Sequence, residues 1–141
     1  MGTPQPEGDR LSDLGPLAIN RPVIGTVHPV RILVTNDDGI DSVGLHELAR
    51  ALVDLGEVTV VAPDTEYSGA GASLGAMHLI RPEVHDAHID GIDQSWSVSG
   101  PPGLCVVYSR LGLFGDSFDL VVAGINPGMN VGRSVYHSGT V

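Results

Sequence analysis

The sequence predicts an α/β fold built on a mostly parallel sheet, and three observations carry that prediction. Three apolar runs rich in β-branched residues, VRILVT from Val30, EVTVVAP from Glu57 and DLVVAG from Asp119, have the texture of strands covered on both faces. Between the first two, apolar residues recur at helical spacing. Each run also ends at a turn-forming segment: NDDG, DTEYSG and GINPGMN respectively.

Taken in order, residues 1–29 carry Pro4, Pro6, Pro16, Pro22 and Pro29 among scattered glycines, with little apolar periodicity. Such a segment buries too little surface to fold and reads as a mostly disordered extension, leaving residues 30–141 as the folded domain. VRILVT is the first strand. In SVGLHELARALVDLG, the residues Leu45, Leu48, Ala49, Leu52 and Val53 share one helical face, with Ser42 as N-cap and Gly56 as stop. EVTVVAP is the second strand, so Arg31 to Pro63 forms a right-handed βαβ unit. The stretch from Asp64 to Gly100 is irregular and reads as a loop plus an antiparallel excursion, with SWSVSG as a short strand. PPGLCVVYSRLGLFG places Leu104, Cys105, Tyr108 and Leu111 on a short helix opened by proline and closed near Gly112. DLVVAG is a third buried strand.

Composition removes whole classes of function. A chain of 141 residues is the size of one domain. Its formal charge is −10, and its seven basic residues, all arginine, face seventeen Asp and Glu. Such a surface repels nucleic-acid polymers unless a cation intervenes. The single cysteine, Cys105, excludes an internal disulfide and fits a reducing compartment. No stretch approaches the roughly 18 to 20 apolar residues of a spanning helix, and no basic segment followed by an apolar core opens the chain. A soluble, cytoplasmic protein that does not engage membranes is the expectation.

In open α/β sheets, ligands bind beyond the carboxyl ends of the parallel strands, where loops and helix N-termini converge. The three strand-end segments bring Asp37, Asp38, Ser68 and Asn126 to that edge, all oxygen donors. Two carboxylates among oxygen-only donors suit a hard cation such as Mg²⁺, Mn²⁺ or Ca²⁺ rather than zinc. Adjacent carboxylates repel unless a cation or a shared proton relieves them. Taken alone, however, Asp-Asp-Gly reads more readily as turn chemistry, with Asp37 accepting backbone N–H bonds and Gly39 supplying a positive φ. Ser68 and Asn126 are likewise ordinary loop residues in isolation. Their shared position at strand ends is what gathers them.

Competing motifs fail on the letters. A P-loop needs Gly-Lys-Ser/Thr, and the chain has no lysine. The run from Gly69 to Gly75 follows the second strand with the wrong spacing for a dinucleotide fingerprint. An aspartyl-nucleophile phosphatase presents two Asp two residues apart, whereas Asn36 and Asp38 hold those places here. His85 and His88, with Asp86 and Asp90, have a metal-compatible spacing but read more readily as a solvated polar turn.

ILVTNDDGID, VTVVAPDTEYSGAGASL, WSVSGPPGLCV, DLVVAGINPGMNVG and YHSGTV occur in the order and approximate spacing of the SurE survival-protein family of metal-dependent 5′/3′-nucleotidases, which the chain resembles from Arg31 to Val141. The resemblance implies a Rossmann-like three-layer sandwich that hydrolyses phosphate monoesters of nucleoside monophosphates, with short polyphosphate as a further substrate of some members. It implies one divalent metal ion, Mg²⁺ or Mn²⁺, on Asp37, Asp38, Ser68 and Asn126, with Asp37, Asp38 and Asn126 as the catalytic set. Asn36, Gly39, Gly128, Asn130, Ser138, Gly139 and Thr140 match positions that shape or line the phosphate pocket. The cation would polarise a phosphoryl oxygen and acidify an attacking water, without a covalent phosphoenzyme. Asn126, Ser138 and backbone N–H groups would meet the charge that builds on the equatorial oxygens.

Departures from the family pattern bear on the pocket. Ala72 stands where a histidine is common, and Gly75 where a threonine closes the block. Pro101 and Leu104 replace threonine and aspartate, and Pro127 replaces a frequent arginine. None touches the implied metal ligands. Family chains also continue past the Ser-Gly-Thr-Val block into further strands and elements used for dimer or tetramer formation. The chain therefore reads as the N-terminal portion of that fold: a fragment of a longer product, a part completed by a partner, or an inactive remnant. A metal- or nucleotide-binding module without turnover is the alternative function.

Overall fold

A computed structural model of the chain describes residues 28–71, 73, 74 and 81–141. The N-terminal extension up to residue 27, and Ala72 and Gly75 among the departures, lie outside the described residues.

The first βαβ unit forms where the sequence places it. Strand β1 is Arg31–Thr35, helix α1 is Val43–Leu52 and strand β2 is Glu57–Pro63. Ser42 caps α1 by accepting from the Leu45 N–H at 3.3 Å. The helix ends at Val53, earlier than Gly56. Gly56 serves another need: a Cβ there would run into the Val30 carbonyl oxygen, which accepts from the Glu57 N–H at 2.8 Å as β2 enters the sheet.

Strand β3 (Val84–Asp86) and strand β4 (Gln94–Val98) form the antiparallel excursion, with His85 opposite Ser97. The sequence did not reveal that β4 also runs parallel to β2, from Thr59 opposite Gln94 to Pro63 opposite Val98. Helix α2 (Pro102–Arg110) has proline in its first turn, and Gly112 closes it at φ 83° while the Leu113 N–H reaches the Tyr108 carbonyl at 3.1 Å. Strand β5 (Leu120–Ala123) runs parallel to β1, and a 3₁₀ helix follows at Gly132–His137.

The sheet order is β3-β4-β2-β1-β5, with every pair parallel except β3 and β4. Alternation along β1 assigns its faces. Ile32 and Val34 pack with Leu45 and Ala49 of α1, whereas Leu33 packs with Leu104 and Cys105 of α2 on the opposite side. Two helices thus cover two faces of one sheet, which is a Rossmann-like three-layer α/β sandwich.

One expectation needs correcting. β5 is a strand but not a buried one: Leu120 and Val121 remain 47% and 46% exposed. The cause is sheet order, since β5 takes the edge beside β1, with a strand neighbour on one side among the described residues. An apolar run reports potential for burial, and the number of covering layers decides the outcome.

Candidate metal and phosphate site

β1 ends in a turn whose rigidity comes from Asn36. Its fully buried side chain donates to the Gly39 carbonyl at 3.1 Å and to Ser42 Oγ at 2.6 Å, and accepts from the Gly39 N–H at 3.2 Å. Asn36 is therefore occupied in shaping the loop. Gly39 adopts φ 102°, where a Cβ would also lie 3.3 Å from the Thr65 carbonyl carbon. The neighbouring strand-end loop is tied on by two backbone bonds of 2.7 Å, Ile40 N–H to the Pro63 carbonyl and Tyr67 N–H to the Asp37 carbonyl.

This frame holds the two carboxylates differently. Asp37 is buried, and both its oxygens are engaged: Thr140 Oγ1 donates to Oδ1 at 2.6 Å and the Gly139 N–H to Oδ2 at 3.1 Å. Ser138 shapes that clasp by accepting from the N–H groups of Thr140 and Val141 at 3.1 and 3.2 Å. Gly139 has no room for a side chain, because a Cβ would come within 2.8 Å of Asp37 Cβ. Asp38, by contrast, has a buried Oδ2 with no hydrogen-bond partner. Burial, then the charges of Asp37 and Glu66, push its carboxyl above the usual range.

A cleft of about 320 Å³ opens on Asp38 and Asn126, with Ser42, Val43 and Gly44 of the α1 N-terminal region on its wall. Asn126 Nδ2 donates to the Gly128 carbonyl at 2.8 Å, which leaves Oδ1 as the atom available to a ligand. Asn130 is half-buried and Gly128 exposed in the same segment. Ser68 stands apart from this grouping: its hydroxyl donates to Glu66 Oε1 at 2.6 Å. Sequence reasoning overlooked Glu66, although it lies in the DTEYSG segment already singled out. It also overlooked Ser42 as the partner of Asn36, since a capping residue gives no sign in sequence of a second contact.

A larger cleft of about 480 Å³ lies at the opposite ends of the strands, lined by Arg31, Glu57, Thr59 and Gln94. Its cation is already employed. Arg31 lies 3.7 Å from Glu57 and 3.8 Å from Asp116, donates to the Ser117 carbonyl, and stacks 5.2 Å from the Phe118 ring centroid. That leaves no free positive charge among the described residues there for a phosphate.

The donor set at the Asp37–Asp38 end fits a hard cation. An orphaned carboxylate oxygen beside a second carboxylate invites a positive charge, and the available partners are all oxygens. No group of three or more His, Cys, Asp or Glu side chains placed to hold a metal occurs among the described residues. Binding would thus rest on two carboxylates, neutral oxygens and water, the manner in which Mg²⁺ is commonly held.

Comparison with known proteins agrees with this frame. Residues 32–141 match the family model described as survival protein SurE. The chain is 48% identical to the 5′-nucleotidase SurE of Rhodopirellula baltica over 113 residues, which are 79% of this chain and 44% of that protein. It is 45% identical to the 5′-nucleotidase SurE of Methanopyrus kandleri over 112 residues, 79% of this chain and 42% of that one. The crystal structure of the SurE protein from Aquifex aeolicus superposes with a TM-score of 0.66 at 38% identity, covering 78% of this chain and 43% of the other. The chain thus spans less than half the length of these relatives. With the fold, the family match and the identities in agreement, the chain belongs to the SurE survival-protein family.

Proposed function

We propose that this chain carries the cation- and phosphate-binding end of a hydrolase that cleaves phosphate monoesters of nucleoside monophosphates, with short polyphosphate as a further substrate. The observation that carries the reading is the buried, unpartnered Asp38 Oδ2 beside Asp37, in a cleft shared with Asn126. The names of the relatives support it, since the proteins of R. baltica and M. kandleri are both described as 5′-nucleotidases.

In this reading Asp37, Asp38 and the Oδ1 of Asn126 hold one Mg²⁺ or Mn²⁺, with Ser68 joining once its hydroxyl leaves Glu66. The cation supplies charge to polarise a phosphoryl oxygen and to acidify water. The chain's own groups do the rest. Gly139 and Thr140 fix the Asp37 carboxylate, so this one ligand is held in place before binding. The Asn36–Gly39 turn sets the spacing of the two carboxylates. Gly128, Asn130 and Ser138, which the family resemblance assigns to the phosphate pocket, would meet the phosphate oxygens.

The lone buried Cys105 fits a cytoplasmic setting, and no helix among the described residues is long and apolar enough to cross a membrane. A homo-oligomer, dimer or tetramer, is what the family resemblance implies for the complete fold. A second reading, a cation- or nucleotide-binding module without turnover, draws on the Ser68 hydroxyl being bonded to Glu66.

The deciding experiment is release of inorganic phosphate from nucleoside monophosphates with Mg²⁺ or Mn²⁺. Activity abolished by EDTA and by Asp37→Asn supports the hydrolase. Turnover indifferent to both removes it, and Mn²⁺ binding without any turnover selects the module.

A further inference from the structure

Asp38 and Asn126 account for part of the lining of the 320 Å³ cleft, but the rest has a chemistry that cation binding does not require. Val43, Ile125 and Pro127 line it with aliphatic surface, and Val43 and Ile125 are 74% and 55% exposed. One further carboxylate completes the lining, Glu47, about one helical turn along α1 from Val43. Arg50 Nη2 donates to Glu47 Oε1 at 2.6 Å, which orients the carboxylate, offsets its charge and leaves Oε2 as an acceptor.

We propose that this wall is a ribonucleoside subsite, in which the base lies on Val43, Ile125 and Pro127 while Glu47 accepts hydrogen bonds from the ribose hydroxyls. The inference rests on the monoesterase reading above and extends it to the other half of the substrate. A nucleoside monophosphate presents a dianion at one end, a flat apolar face at the other, and a vicinal diol in between. The lining holds a group for each of these parts: Asp38 and Asn126 for the cation-bound phosphate, Glu47 for the diol and the aliphatic residues for the base. Its volume is at the low end of small-molecule sites, which run from about 300 to 1,000 Å³, so it suits one nucleotide rather than an oligomer.

Glu47 gives the wall its selectivity. An ionised carboxylate only accepts, so it favours a ligand's O–H donors and repels phosphoryl oxygens. That polarity directs the nucleoside, and not the phosphate, towards α1. Carboxylates select ribose by its 2′-hydroxyl in dinucleotide-binding folds for the same reason. Pro127 adds area to the apolar side without introducing a competing donor.

The test uses nucleosides without phosphate, so that it needs neither cation nor turnover. Equilibrium dialysis of the full 141-residue chain against adenosine and 2′-deoxyadenosine measures the contribution of the 2′-hydroxyl directly. The expected result is about tenfold tighter binding of adenosine, the value of one charge-assisted hydrogen bond. Glu47→Ala is expected to equalise the two ligands, Glu47→Gln to leave an intermediate preference, and Val43→Asp to weaken both. Equal affinities in the parent, discrimination that survives Glu47→Ala, or no binding of either nucleoside at millimolar concentration by folded protein would each overturn the proposal. Absence of phosphate release with cation present would instead remove the hydrolase reading, whatever the nucleosides do.

Discussion

Gly44, in the first turn of α1, meets the carbonyl of Ile125 so closely that a Cβ would overlap its oxygen and lie 3.2 Å from its carbon. This backbone approach sets Asn126 beside Asp38. Two effects oppose each other in Gly44→Ala. Alanine gains about 1 kcal/mol over glycine in a helix, whereas overpacking costs about 1–3 kcal/mol. The obstacle here is backbone and cannot rotate away, so the cost wins. Gly44→Ala is expected to lower the melting temperature and weaken Mn²⁺ binding, read by thermal denaturation with and without the cation. A variant more stable than its parent would show that the loop yields freely.

Thr140 Oγ1 holds Asp37 Oδ1 at 2.6 Å. Thr140→Val keeps the shape and removes the donor, leaving a buried carboxylate oxygen short of a partner at a cost of about 1–3 kcal/mol. Loss of such a supporting contact typically lowers metal affinity about 10- to 100-fold. Titration calorimetry with Mn²⁺ should show that drop in Thr140→Val and near-parental affinity in Thr140→Ser. Equal affinity in all three proteins would mean that Asp37 is held by Gly139 alone.

Burial, with the charges of Asp37 and Glu66 behind it, raises the Asp38 carboxyl above its ordinary value of 3.8. The folded state therefore holds this proton more tightly than the unfolded state. Stability falls as pH rises from the unfolded value through the raised one, and the full penalty applies above it. Asp38→Asn removes that penalty. Without cation, the variant should be more stable than the parent at pH 7 and equal to it near pH 3, by denaturant titration. Saturating Mn²⁺ should reverse the order at pH 7, because only the parent gains binding free energy.

The Cys105 thiol, buried among Leu33, Val61 and Leu104, is pushed up to about 12, chiefly by burial. At pH 8 only about one such thiol in ten thousand is the reactive thiolate. Iodoacetamide should leave the folded protein unlabelled over an hour and modify it quickly in guanidinium, followed by mass spectrometry. Fast labelling of folded protein would show that α2 opens readily.

The sequence carried the first βαβ unit nearly residue by residue, because periodicity and local capping decide those elements. It carried less of β4, where Gln94, Ser95 and Ser97 dilute the apolar signal and the β2 partner is distant in the chain. The burial of β5 was not legible at all, since it depends on which strand lies outermost. At the candidate site, the letters gathered Asp37, Asp38, Ser68 and Asn126 through their strand-end positions; the fold brings Asp38 and Asn126 into one cleft and ties Ser68 to Glu66. What each carboxylate bonds to was hidden, because Gly139 and Thr140 reach Asp37 from the far end of the chain. Glu47 was invisible for a related reason: on a helix face it reads as an ordinary solvated charge.

The clasp on Asp37 also has a consequence in time. The carboxylate and the Gly139 N–H that holds it are 102 positions apart, which at common rates of synthesis is roughly 5–20 s on the ribosome. During that interval β1 can pair with β2 and receive α1, while the Asp pair lacks the groups that fix it. The scaffold is made early and the site late. An emerging chain would meet free cations with its carboxylates still loose and would gain its ordered ligand geometry only once Gly139 and Thr140 dock.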